Sequence, residues 1–351
     1  MSERRRGLLL ELALLALVLA HFAAFLDGGP DVVGPPPNVE DWPKEFRYGL
    51  VWQQALHQGR VPYFTSEPIL ITRKLLAIPE VSTSPQLVLL RVLPVGAFFV
   101  VNTLLLAAVG FAGLLALRRR YGLGAIPFTA LVLLFFGNGH ITAQLAVGHS
   151  MWAGYFLLSW LVLLVLALVE DGPRPAWGPK LGLLLFALLL QGSFHIFVWC
   201  VLLVLLLAAF QPRLWPAVWR GLAWGGALSA VRLLPAAFVA RRREQAFLTG
   251  FPSLMDLLHG LVTVRDAAFG KRGGFFGQVD WWELDVYVGP AGLLLLLVFG
   301  LALARRHPVL RGDGERTLLG PLLLLAVFSY GDTYLPLNLS GLPLLDAERA
   351  A

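Results

Sequence analysis

GLLLELALLALVLAHFAAFL, residues 7–26, is an apolar run of twenty residues behind Arg4, Arg5 and Arg6. Twenty residues at the 1.5 Å rise of a helix reach across the roughly 30 Å hydrocarbon core of a bilayer. A secretory signal also opens on basic residues, but its apolar heart is only about 7–15 residues long. Here the run is longer and further apolar runs follow it, so it reads as a retained first transmembrane helix. Glu11 is its one acidic residue, near the end where snorkelling or a partner relieves the charge.

The composition generalises this. Of 351 residues, 57% are hydrophobic and 14% charged, against roughly 45–50% and about 25% in soluble domains. That predicts an all-α integral membrane protein with several spans. The net charge of +6 does not argue for nucleic acid as a partner, because the arginines flank apolar runs as topology signals do. Cys200 is the only cysteine, which excludes an intrachain disulfide and a cysteine metal site.

Further spans are expected at 93–117, 125–136, 152–169, 181–190, 196–210, 217–239, 289–304 and 317–330, about nine in all. The run 125–136 is too short to cross alone unless Gly137-Asn138-Gly139-His140-Ile141 continues the helix or turns in a protein-lined cavity. Counting from a cytoplasmic N-terminus, every short inner loop is basic: Arg118 to Arg120, Arg174 with Lys180, Arg213 with Arg220, and Arg305 to Arg316. Two long polar regions, 27–92 and 240–288, then lie outside. The organisation is a first helix at 1–26, an external loop at 27–92, helices two to seven at 93–239, a second loop at 240–288, and helices eight and nine at 289–330. Residues 331–351 form an external tail, expected to be cut short.

The first loop carries the chemistry. In Asn38-Val39-Glu40-Asp41-Trp42-Pro43-Lys44-Glu45-Phe46-Arg47-Tyr48, Asn38 is the candidate helix cap and Pro43 is tolerated in the first turn. Phe46, Leu50, Val51 and Leu56 recur at the spacing of one face, and Gly59 and Pro62 end the helix. Asp41 and Glu45, four apart, share a face. If that face looks into a cavity, a desolvated carboxylate serves as a general base; the plain alternative is that both favour a helix N-terminus on a wet loop. A second charged group is cationic: Arg232 inside a span, Arg241 to Arg243 beyond it, and Lys271 with Arg272. Arginine forks suit a lipid phosphate, while a collar for anionic lipid explains Arg242, Arg243 and Lys271 equally well. A charge within a span implies either function or a buried partner for Arg232. His140, His149 and His195 fall in outer turns, none spaced for zinc, so no metal is expected. Trp281, Trp282 and Tyr287 suit an interfacial aromatic belt or a sugar platform, and Glu283 and Asp285 are candidates to orient an acceptor hydroxyl.

Glu45-Phe46-Arg47-Tyr48 soon after the first span, followed by Gly59-Arg60-Val61-Pro62-Tyr63, resembles the first external loop of GT-C glycosyltransferases. Ser84-Pro85, Gly148-His149, Leu233-Leu234-Pro235 and Trp282-Glu283-Leu284-Asp285-Val286-Tyr287-Val288-Gly289 are similar to the bacterial YfhO-type branch. The resemblance implies a GT-C-like bundle in a bacterial plasma membrane, with amphipathic juxtamembrane helices in the first loop. It implies transfer, with inversion, of a sugar from a polyprenyl-phosphate donor to a hydroxyl of a glycan, lipid or protein acceptor, with no cofactor. The loop carboxylate falls on Asp41 first, a short side chain held beside Trp42, and on Glu45 second. Arg232, Arg241, His149, Glu283, Asp285 and Tyr287 are the substrate-binding candidates. Aminoarabinose transferases carry Asp-Glu before their Arg-Tyr where this chain has Lys44-Glu45, which leaves the choice of base open. The rival readings are a lipid or polymer transporter and a noncatalytic assembly protein.

Overall fold

The computed structural model describes residues 3–28, 34–69, 72–240, 254–263, 272–274, 277–279, 285–298 and 313–328. Helix α1 (Glu3–Phe25) is followed by α2 (Trp42–His57) and a short hairpin, β1 (Phe64–Ile69) with β2 (Thr72–Lys74). Next come α3 (Val95–Tyr121), α4 (Ala125–Phe136), α5 (Gly139–Ala146), α6 (Leu158–Asp171), α7 (Trp177–Leu190), α8 (Phe194–Phe210) and α9 (Trp215–Ala240). The C-terminal part contributes α10 (Leu254–Val262), the strand pair β3 (Arg272–Gly274) and β4 (Gly277–Val279), α11 (Gly289–Leu295) and α12 (Asp313–Phe328). Among the described residues five apolar stretches reach spanning length: Arg5–Phe25, Val95–Tyr121, Ala125–Ala146, Ser150–Asp171 and Pro212–Phe238. Four more apolar helices are shorter. The chain is an all-α multi-pass membrane protein, and α1 accordingly presents half-exposed Leu8, Leu9, Leu12 and Leu17 outward.

Two compact units are distinguished by contact. The first comprises Met1–Gly137, Gln144–Leu202 and Pro216–Val239; the second comprises Asn138–Ala143, Leu203–Trp215 and Ala240–Ala351. Within the first, α3 packs against α1, against α6 and against the 3₁₀ turn Ser150–Leu157 that precedes α6. Small residues make the approach possible: a side chain at Gly110 would meet Phe156, and one at Gly113 would meet Ser159. Inside this unit Glu11 finds its relief in a partner rather than by snorkelling. Arg118 Nη1 donates to Glu11 Oε1 at 2.7 Å while its guanidinium lies 4.7 Å from the Phe128 ring.

Three local expectations are corrected. The helix of the first loop begins at Trp42, with Asp41 rather than Asn38 at its N-cap, and no side chain caps it. The span expected at 93–117 begins at Val95, behind a 3₁₀ segment, Pro85–Arg91, and Pro94 stands at the boundary, where it has no N–H to donate. The buried face of α2 is Trp42, Glu45, Tyr48, Gly49 and Trp52. Of the expected apolar face, Leu50 is 54% exposed, and Phe46, Val51 and Leu56 are only partly buried against the core. In a membrane protein lipid satisfies an aliphatic face as well as a core does, so apolar spacing does not say which side faces protein.

In the second unit, α10 packs on α11 and Val288 N–H donates to Leu261 O at 3.0 Å.

Candidate functional site

The site is built where α2 begins. Trp42 is buried, its indole N–H donating to Ala146 O at 3.2 Å, and Asp41 N–H donates to Val147 O at 2.9 Å. These bonds dock the head of α2 onto the turn that follows α5. Gly148 completes the fit: its φ of +91° is left-handed backbone, and a Cβ there would overlap the Trp42 backbone nitrogen. His149 N–H closes the turn on Gln144 O at 3.0 Å.

Docked this way, Asp41 Oδ2 receives His149 Nε2 at 3.0 Å and Lys44 Nζ at 2.9 Å. The other ring nitrogen of His149, Nδ1, meets the Gln144 side chain. Lys44 also reaches Glu80 Oε2 at 3.4 Å, and the Tyr48 hydroxyl donates to Glu80 Oε1 at 3.0 Å. Burial would raise the Asp41 pKa, but Lys44 and His149 outweigh it and hold the carboxyl below its ordinary value. Lys44 is likewise held above its ordinary value, by Glu80 and Asp41 against the pull of burial. His149 is lowered, because its burial outweighs the attraction of Asp41. At neutral pH the cluster is therefore an ionised aspartate held by an ammonium and a neutral imidazole. The Asp41 side chain is 46% exposed and takes its bonds on Oδ2, leaving Oδ1 to accept a proton.

Glu45 is a different kind of carboxyl. It is buried and receives a hydrogen bond from the Ser150 hydroxyl on Oε2, while Oε1 has no partner. Burial drives its pKa up to about 8, although the Ser150 hydrogen bond and Lys44 act the other way, so it is mostly protonated at pH 7. Glu45 lines a cavity of about 20 Å³ with Trp52, Ser82, Asn102 and Gln191, and Trp52 Nε1 is also buried without a partner. A cavity needs about 10–15 Å³ to hold one water. This one has room for a water, not for an acceptor substrate.

Of the residues expected at the site, the fold brings Asp41 and His149 together and places Glu45, one helical turn further along α2, against Ser150. His149 has both ring nitrogens engaged, so it positions Asp41 rather than offering itself to a ligand. Arg232 goes elsewhere. Its guanidinium is buried and donates to the carbonyls of Leu76 (2.9 Å), Ile78 (3.1 Å), Pro79 (3.2 Å) and Val81 (2.6 Å). That is the buried-partner alternative, not the phosphate-binding one: the arginine clamps the loop that carries Glu80. His195 stacks on Trp152 at 6.1 Å.

In the second unit Asp285 is buried, and its Oδ1 accepts the Tyr287 backbone N–H at 3.0 Å. Tyr287 O receives the Gly139 N–H at 2.6 Å, and His140 Nδ1 lies 3.2 Å from Asp285 O. These contacts give the Asp285 side chain and the Tyr287 backbone a fold-forming part in their own unit. Arg241 and Glu283, with Arg242, Arg243, Lys271, Trp281 and Trp282, lie outside the described residues.

The sequence reading missed Glu80, Gln144 and Ser150. Glu80 stands beside a proline with no periodic context, and Gln144 and Ser150 are ordinary polar residues near a turn. For Gln144 and Ser150 the only signal was their closeness to the Gly148-His149 pair, and Glu80 gave none. Among the described residues no three histidine, cysteine or acidic side chains gather to hold a metal. Compared with protein-family models, curated proteins and solved structures, the chain finds no match in any of the three.

Proposed function

We propose that this chain is a GT-C type membrane glycosyltransferase, with about nine helices in a bacterial plasma membrane, the N-terminus cytoplasmic and the long loops outside. A polyprenyl-phosphate sugar enters from the bilayer, and Asp41 takes the proton of an acceptor hydroxyl as its oxygen attacks the anomeric carbon with inversion. The bond from that carbon to the phosphate oxygen breaks, and the polyprenyl phosphate leaves with the electron pair. Asp41 supports this reading: an ionised, half-exposed carboxylate at the head of a juxtamembrane helix, its Oδ2 fixed by Lys44 and His149. Orientation by two donors fits a general base whose second oxygen points at its work. Glu45 is unsuited to that role because its carboxyl is buried in a water-sized cavity. Arg232 is spent on carbonyls, so it does not supply the counter-charge for the leaving phosphate.

The transporter alternative has its own observation: a buried, protonated Glu45 with one oxygen unpartnered is the kind of group that loads and releases a proton during transport. The two readings separate on single variants in proteoliposomes supplied with radiolabelled polyprenyl-phosphate sugars. Glycosyl transfer by Asp41→Asn is expected to drop about 10²–10⁴-fold, with Glu45→Gln losing much less. Intact transfer in Asp41→Asn sinks the enzyme; flux that survives Asp41→Asn and stops in Glu45→Gln favours the transporter.

A further inference from the structure

At one end of the first unit, α3, α6 and α7 enclose a pocket of about 250 Å³. This is a little below the roughly 300–1,000 Å³ of drug-sized ligand sites. Its walls are of two kinds. Leu163, Ala167 and Trp177 are apolar, and the one polar atom of Trp177, its indole N–H, is already satisfied by Leu164 O at 2.8 Å. Arg120, Arg174, Lys180 and Asp171 are charged.

The charges do not cancel. Arg120 donates to Glu170 at 2.8 Å and to Asp171 at 2.8 and 3.2 Å. Asp171 is shared with Arg174 at 3.2 Å. Three cations therefore face two carboxylates and one positive charge is left over, on the two most accessible groups: the Arg174 side chain is 71% exposed and Lys180 is exposed. The head of α7 adds to this, since its N-cap, Ala176, makes no side-chain bond and the positive end of the helix dipole stays uncompensated there.

The position supplies the remaining argument. Arg120 and Asp171 stand at the ends of the spanning stretches Val95–Tyr121 and Ser150–Asp171, so the pocket opens where hydrocarbon gives way to headgroups. A free anion would use the rim and gain nothing from the leucine and tryptophan wall. A phosphodiester with acyl chains uses both, and its single negative charge matches the single surplus positive one. We infer that this pocket binds an anionic phospholipid, with the phosphate against Arg174 and Lys180 and the start of an acyl chain along Leu163 and Trp177. The site shares no residue with the Asp41 cluster and does not depend on the glycosyltransferase reading.

The test uses the full chain in nanodiscs of phosphatidylcholine containing phosphatidylglycerol, released into the mass spectrometer with its retained lipids. The wild-type protein is expected to retain phosphatidylglycerol about ten-fold over phosphatidylcholine. Arg174→Ala with Lys180→Ala, both on the surface, should erase that preference without lowering the melting temperature. Ala167→Trp, which fills the apolar side and keeps every charge, should also release the lipid. Millimolar inorganic phosphate should not displace it. The inference is overturned if the wild type shows no preference, if the double variant keeps it, or if inorganic phosphate competes the lipid away, which would make the pocket a simple anion site. If Ala167→Trp does not fold, the double variant decides alone; if it folds and holds the lipid as before, the acyl-chain half is wrong.

Discussion

Asp41 and Glu45 stand one helical turn apart and behave oppositely. Asp41 gains two donors at the rim, whereas Glu45 loses its water, and the two pKa values move in opposite directions. The Glu45 shift has a consequence for stability whose sign follows from proton counting. Between its ordinary value of 4.5 and about 8, the unfolded chain releases this proton and the folded one keeps it, so stability falls as pH rises through that window. It is present in full below about pH 4.5 and lost above about 8, by a few kcal/mol at most for a shift of this size. Melting in detergent from pH 5 to 9 should show the decline, and Glu45→Gln, which carries no charge at any pH, should flatten it. An equal slope in both proteins would mean that Glu45 is not the titrating group. Arg232 gives a second test. Removing a buried guanidinium takes a donor from four carbonyls, of which Ile78 O keeps the Val81 N–H, and Arg232→Ala should cost about 2–4 kcal/mol. Lysine cannot span the same set, so Arg232→Lys should recover little. Because Glu80 rides on the freed loop, the fraction that still folds should also lose activity through Lys44 and Tyr48.

At the scale of elements, the site exists because the head of α2 docks on the turn after α5. Gly148 permits the contact, and Gly148→Ala puts a methyl into the Trp42 backbone at a left-handed φ. The expected cost is at least about 1 kcal/mol, with Asp41 moved away from His149. A melting curve measures the first effect. On the proposed function, the second shows as a loss of glycosyl transfer larger than that of a surface variant of equal stability. The face of α2 teaches a related lesson. Its apolar spacing marks a helix without saying where protein lies, because aliphatic side chains are equally at home against lipid. Trp42 and Tyr48, whose polar tips find partners in Ala146 O and Glu80, turn inward and take Glu45 and Trp52 with them. Where a helix has two apolar faces to offer, hydrogen-bonding side chains choose between them.

For the molecule as a whole, α3 is the element on which the first unit closes, and its small residues set how near its neighbours come. Gly113→Leu would push α3 off Ser159 and should lower stability by about 1–3 kcal/mol, read as a fall in melting temperature in detergent. An unchanged melting point would mean that the interface is looser than its spacing implies. The Arg118–Glu11 pair closes the same unit at the basic end of α3, where two charges of the spans relieve each other.

Membrane residence, the positions of the long apolar runs and the existence of a helix in the first loop were legible in the sequence, because all three depend on local composition and period. A bilayer asks only for length and apolarity, and these are read one segment at a time. The start of α2, its buried face, the pairing of Asp41 with His149 across more than a hundred residues, the part played by Glu80, and the diversion of Arg232 to backbone carbonyls came only with the tertiary structure. Each depends on which polar group meets which across distant segments. In a chain where lipid and core are equally apolar, hydrophobic pattern does not carry that information, and the need to satisfy buried hydrogen bonds settles it.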